Sequence, residues 1–384
     1  MKILVVSAIL SPEIGGPASY VSEIIKRLGK EYQFRAITFT PNPNPIDGVE
    51  IVSVSQTGNT FIRQAKLFWQ IFRNAFWSDL FYVMEPLVVG IPAGIIGFLF
   101  RKPVVIRFVG YQPWEESLAN GVTEKYLDQF LTSPDGGVKA KILILATAMA
   151  FKMANQIIVP SKYLVTVLEK YFSVPRSKIN HIYNAFEIPK VTPAPKSKIP
   201  TAISIGRLIY RKRVDWTIEA VALCTKNTGK FLQLLIVGDG PDRPRLERVA
   251  KDLVKKYKIK PFVAFLGQKS WLDGLSLLAS ADVYLLTSVY EGLPFTVVES
   301  LVLGTSVIAT DVPGTSEIAI NRVTALTSAA GDVRGLANNI EEIIKNSALS
   351  KKLVGTGQKL IKKEFNWSQN LKTTQGVFRL ALDG

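Results

Sequence analysis

The sequence predicts two α/β domains, each a doubly wound parallel sheet with crossover helices. Three observations carry this. The length of 384 residues exceeds one ordinary core and suits two domains of about 150–200 residues each. Short β-branched runs alternate with longer helical patterns. That alternation stops at a proline- and lysine-rich stretch, residues 186–200 (FEIPKVTPAPKSKIP), and then restarts.

In order, the first-half strands are expected at 2–7, 34–38, 80–84, 103–108 and 156–160. Met1-Lys2 leads straight into Ile3-Leu4-Val5-Val6, which reads as a first strand, with no leader segment. The second-half strands are expected at 201–205, 232–237, 263–266, 283–286 and 306–310. The expected domains are 1–187 and 201–363, with 188–200 as an extended linker. A C-terminal helix, 364–384, is expected to pack back on the first domain.

Composition narrows the functions. A hydrophobic fraction of 47% with 20% charged residues excludes extended disorder. One cysteine, Cys224, and one histidine, His181, exclude a disulfide framework, a zinc site and a Cys/His nucleophilic pair, and fit a cytoplasmic compartment. The net charge of +16, from 47 basic and 31 acidic residues, calls for an anionic partner. No finger spacing, aromatic RNA-binding motif or like-charge block is present, so no nucleic-acid partner is expected. An anionic membrane surface is the alternative, with peripheral attachment at the inner face of the cell membrane. Residues 61–77 (FIRQAKLFWQIFRNAFW) gather Phe61, Ile62, Ala65, Phe68, Trp69, Phe72 and Phe76 on one helical side, with Arg63, Lys66, Gln70, Arg73 and Asn74 opposite. That pattern fits either a helix in a headgroup region or a surface helix packed on the core. Residues 87–100 are apolar but too short and too glycine-interrupted to span a bilayer.

In doubly wound sheets ligands bind beyond the carboxyl ends of the strands, so the chemistry is sought in those loops. Gly15-Gly16 follows the first strand and opens a helix whose N-terminal amides could hold a phosphate, or it is an ordinary tight turn. The run 206–213 (GRLIYRKR) follows the first strand of the second domain and crowds Arg207, Arg211, Lys212 and Arg213 together. Such a cluster repels itself unless an anion arrives, and Arg and Lys suit a diphosphate. The run 291–299 (EGLPFTVVE) sets a turn at Gly292-Leu293-Pro294 that starts a helix. Amides near Phe295 and Thr296 can face a phosphate, and Glu299 lies further along, placed for sugar hydroxyls. Glu291 and Glu299, one on the loop and one in the helix, suit different ligand hydroxyls better than a shared acid/base pair.

These motifs resemble those of retaining glycosyltransferases of the GT-B fold, glycosyltransferase family 4. Gly206-Arg207 with Lys212, the run 237–241 (VGDGP), Glu291 to Glu299, Gly304, the run 307–310 (VIAT) and Glu317 occur in the family's order and spacing. The first domain adds Gly15-Gly16, the run 156–161 (QIIVPS) and the run 182–185 (IYNA). The resemblance implies two Rossmann-like domains facing each other across a cleft. It also implies transfer of a hexose from a nucleotide-diphosphate sugar to a glycan or lipid-linked acceptor with retained configuration. Arg207, Lys212 and Glu291 take the catalytic roles. Arg207 and Lys212 neutralise the leaving diphosphate, Glu291 holds the transferred sugar and Glu299 holds the ribose. Backbone around Gly16, Gly238, Gly267 and 292–296 completes the donor site. No Asp-x-Asp occurs, so neither cofactor nor metal is expected. Replacing Lys212 by Ala is expected to abolish transfer with the fold intact.

One loop departs from the family. Where many relatives place a histidine, this chain has residues 107–116 (RFVGYQPWEE), with Tyr111 in place of a variant's aspartate. Either Trp114 offers a platform to a sugar ring with Glu115 on the acceptor or sugar, or Trp114 is core and Glu115 solvated. The alternatives to a transferase are a non-catalytic sugar-nucleotide or membrane-binding subunit, and a sugar-nucleotide epimerase on the same scaffold.

Overall fold

The computed structural model describes residues 1–13, 16–185 and 187–383. The chain forms two compact units, Met1–Ala185 with Trp367–Gly384, and Phe186–Asn366. In the first, strands β1 (Lys2–Ser7), β2 (Gln33–Thr38), β3 (Glu50–Ser53), β4 (Leu80–Val83), β5 (Val104–Arg107), β6 (Gln156–Val159) and β7 (Ile179–His181) form a seven-stranded sheet. Its order is β3-β2-β1-β4-β5-β6-β7 and every pairing is parallel. The helices are α1 (Gly16–Leu28), α2 (Thr60–Ala75), α3 (Gly90–Phe100), α4 (Gln112–Ala119), α5 (Leu127–Thr132), α6 (Gly137–Met153) and α7 (Lys162–Phe172). β4, β5 and β6 are buried at every residue because helices cover both faces, which is why they read as mostly apolar runs broken only by Arg107 and Gln156 at strand ends. The short edge strands β3 and β7 gave no such run and were not anticipated.

The second unit holds β8 (Thr201–Ile205), β9 (Gln233–Val237), β10 (Val263–Gly267), β11 (Val283–Leu286), β12 (Ser306–Thr310) and β13 (Leu326–Ser328), in the order β10-β9-β8-β11-β12-β13. Its helices are α8 (Val214–Thr228), α9 (Arg243–Tyr257), α10 (Trp271–Ser280), α11 (Phe295–Leu303), α12 (Val333–Lys345) and α13 (Ser347–Glu364). Strand order reverses direction beside β8, whose neighbours are β9 and β11. The loops after β8 and β11 therefore lie at the switch point of the sheet, beyond its carboxyl ends, where ligands of such sheets bind.

The last helix, α14 (Trp367–Asp383), belongs to the first unit. Its Phe378 is fully buried and meets the Tyr82 ring edge-on at 5.1 Å. Asn370 of α14 accepts from the Tyr20 hydroxyl at 2.7 Å and donates to the Tyr183 carbonyl at 2.6 Å. Beneath Tyr20, at 4.0 Å from its ring, lies the guanidinium of the buried Arg107, which donates to Asn184. One polar cluster thus ties α1, β5, the segment after β7 and α14 together.

Candidate functional site

β8 ends against the β9 loop so tightly that a Cβ on Gly238 would lie 2.0 Å from the Gly206 carbonyl oxygen. Gly238 also has φ +126°, so only glycine fits. Its amide donates to the Gly267 carbonyl at 2.8 Å, linking the loops after β9 and β10. Beyond Gly206, Arg207 is exposed, and among the described residues no side chain engages its guanidinium. A 3₁₀ turn, Tyr210–Lys212, then leads to Arg213 in the left-handed region at φ 44°.

Within the chain, Arg211, Lys212 and Arg213 of the cation cluster already have partners. Arg213 makes two hydrogen bonds to Asp215, at 3.1 and 2.8 Å, and stacks over Trp216 at 4.0 Å. Arg211 donates to the Tyr290 carbonyl at 3.2 Å. Lys212 pairs with Glu291 at 2.5 Å. The turn is fixed to the β11 loop, where Thr287 donates to the Lys212 and Arg213 carbonyls at 3.1 and 2.8 Å.

Glu291 is 7% exposed. Burial pushes its carboxyl upward, but the nearby Lys212 and Arg211, with a 2.6 Å hydrogen bond from Ser288, hold it below the usual carboxylate range. Its backbone is clamped by Gly314, where φ is +79° and a Cβ would stand 1.9 Å from the Glu291 carbonyl oxygen. Lys212→Ala would therefore strand a buried carboxylate, so the fold should not be indifferent to it.

After Glu291 the chain turns through Gly292, with Leu293 and Pro294 buried, so these residues can offer a ligand little beyond their backbone. Pro294 caps α11, whose first turn holds Phe295 and Thr296, and the Val297 amide donates to the Pro294 carbonyl at 3.1 Å. Thr296 accepts from the buried Tyr284 hydroxyl at 2.7 Å. One turn on, Glu299 is buried, and its Oε1 accepts from Trp271 Nε1 at 2.8 Å. Burial raises its carboxyl, against the lowering by Trp271. Sequence reasoning missed Arg211, Ser288 and Trp271 as partners of these carboxylates. Ser288 carries a weak local signal, three residues before Glu291, whereas Trp271 is 28 residues from Glu299 and carries none.

In the first unit, Gly15 lies outside the described residues and Gly16 is the first residue of α1. Tyr111 and Trp114 are 1% and 0% exposed, and the Trp114 indole donates to the Lys125 carbonyl at 2.9 Å. Both are core, which corrects their assignment as sugar contacts: an indole without exposed surface offers no platform. Glu115, on α4, keeps partial exposure beside Gly110. His181 sits in β7 with its ring 4.3 Å from Tyr183.

Residues 186–360 match the family model of the glycosyl transferases group 1. Over 98% of its length the chain is 23% identical to an uncharacterized glycosyltransferase of Methanocaldococcus jannaschii, of which it covers 98%. Over 44% of the chain and 46% of the relative it is 31% identical to the lipopolysaccharide core biosynthesis glycosyltransferase LpsE of Rhizobium meliloti. Among solved structures, Anabaena HepE in complex with UDP superposes with a TM-score of 0.76 at 18% identity, covering 99% of this chain and 100% of that one. The fold is that of the GT-B enzymes, and the match of the second unit to the glycosyl transferases group 1 model supports a glycosyltransferase.

Proposed function

We propose that the protein transfers a hexose from a nucleoside-diphosphate sugar to a glycan or lipid-linked acceptor with retention at the anomeric carbon and without a metal ion. The observation that carries this reading is the convergence in the second unit of Lys212, Glu291 and the start of α11, with Arg207 exposed in the same loop as Lys212. As the sugar–oxygen bond breaks, negative charge gathers on the departing diphosphate. Lys212 carries three N–H donors and can keep Glu291 while meeting a phosphate oxygen. The positive end of the α11 dipole and the guanidinium of Arg207 add fixed positive potential where a metal would otherwise act.

Glu291 and Glu299 divide the donor between them. Glu291, ionised and fixed by Lys212 and Ser288, accepts from hydroxyls of the transferred sugar. Glu299, one helical turn beyond the α11 amides, accepts from the ribose hydroxyls, with Trp271 orienting its other face. UDP is the first nucleotide to test, because Anabaena HepE was solved with UDP and with UDP-glucose.

The test is thermal stabilisation by UDP, GDP, ADP, dTDP and CMP with and without chelator. Ligand at about a hundred times its Kd stabilises by about 2.7 kcal/mol. A shift with one diphosphate, kept in chelator and lost in Arg207→Ala, supports the reading, and no shift with any of them overturns it. Product anomeric configuration, read by NMR, tests retention.

A further inference from the structure

Half of the large exposed apolar side chains lie on three helices of one unit and one helix cap. Among the described residues 22 large hydrophobics are exposed, and eleven of them lie on α2 and its C-cap, α3 and α6. A scattered exposed leucine needs no account, but a concentration on neighbouring helices does. α2 packs on α3, where the Phe72 and Phe100 rings meet at 5.4 Å, and α3 packs on α6.

Each helix turns an apolar stripe outward. α2 buries Leu67, Ile71, Asn74 and Ala75 and exposes Phe61, Ile62, Trp69 and Phe76, with Phe61 81% exposed. Asn74, on the side opposite the aromatic residues, faces in and accepts from Arg35 at 3.2 Å. The aromatic side of this helix is therefore not the side that packs on the core. α3 exposes Ile95, Phe98 and Leu99, with Phe98 82% exposed. α6 exposes Val138, Ile142, Leu145 and Met149, the i, i+4, i+7, i+11 positions of one stripe.

The charges on these helices have one sign. Residues 60–76, 90–102 and 137–153 contain no Asp or Glu and eight basic residues: Arg63, Lys66, Arg73, Arg101, Lys102, Lys139, Lys141 and Lys152. A second copy of the chain would bring a like-charged face against it, which disfavours self-association. No helix among the described residues is long and apolar enough to cross a membrane. Apolar stripes flanked only by cations fit the boundary between headgroups and acyl chains.

We infer that the outer face of α2, α3 and α6 docks on an anionic lipid bilayer, with Phe61, Trp69, Phe98 and the α6 stripe entering the interface and the lysines and arginines meeting lipid phosphates. The inference is independent of the donor reading, because it concerns lipid binding without donor or turnover.

The test is flotation of the full chain with phosphatidylcholine–phosphatidylglycerol vesicles (two parts to one) and with phosphatidylcholine alone. Binding is expected to the anionic vesicles only and to weaken with salt as the Debye length shortens. Lys139→Glu/Lys141→Glu should lower partitioning by at least about 30-fold, from about 1 kcal/mol per basic residue near the surface. Trp69→Ala/Phe98→Ala, on exposed side chains and checked for unchanged circular dichroism, should lower it by a similar factor or more. No anionic flotation at low salt, equal binding to both vesicles, or binding untouched by both variants would overturn the inference. So would a dimer in sedimentation that the same substitutions dissolve, since the face would then belong to a second copy.

Discussion

Lys212 and Glu291, 79 residues apart in the chain, close an ion pair at 2.5 Å across the loops after β8 and β11. The lysine supplied by one loop is what keeps the carboxylate of the other ionised in a buried place.

Lys212→Ala should therefore lose transfer and also destabilise the protein by about 3 kcal/mol, the lower end for breaking a buried pair because Arg211 and Ser288 remain. Lys212→Ala/Glu291→Gln should recover most of that stability in urea unfolding while staying inactive. A single variant as stable as wild type would show that the pair does not hold Glu291. The pH dependence has a definite sign: the folded value of Glu291 lies below the unfolded one, so its stabilisation is present above the unfolded pKa and lost as pH falls through the folded one.

Glu299 behaves in the opposite sense. Burial raises its folded pKa, so stability falls as pH rises from the unfolded value through the raised one. Binding of ribose hydroxyls calls for the carboxylate and should weaken as pH drops toward that raised value. Trp271→Phe removes the hydrogen bond that opposes burial and should move the acid limb of nucleotide affinity to higher pH, measurable by calorimetric titration. An unmoved limb would detach Glu299 from the donor.

Gly314→Ala places a Cβ against the Glu291 carbonyl oxygen at positive φ and should cost more than about 2 kcal/mol, with loss of transfer. Gly355→Ala, within α13 with nothing inside 4 Å of its Cβ, should instead stabilise by about 0.5–1 kcal/mol. Paired thermal melts of the two variants check the contrast.

Asn370→Ala removes the acceptor for Tyr20 and the donor to Tyr183, both in a buried setting. It should cost about 2–3 kcal/mol and raise hydrogen exchange along α14 before the rest of the first unit. Uniform exchange across that unit would mean that α14 is held by Phe378 and Val377 alone.

The sequence by itself determined the doubly wound strands, because strands covered by helices on both faces are short and mostly apolar, and β1, β4–β6, β8, β9, β11 and β12 read that way. It also determined the loops where chemistry would lie, since Gly206-Arg207 and Glu291 follow recognisable strands. Only the tertiary structure decided how the charges are shared. Lys212 faces Glu291, Arg213 is taken by Asp215 and Trp216, and Trp271 reaches Glu299, because parallel strands bring together loops that are distant along the chain. It likewise decided that Trp114 is core and that the aromatic stripe of α2 faces out. An amphipathic pattern states that a helix has two sides, and only the sheet and the neighbouring helices state which side is covered.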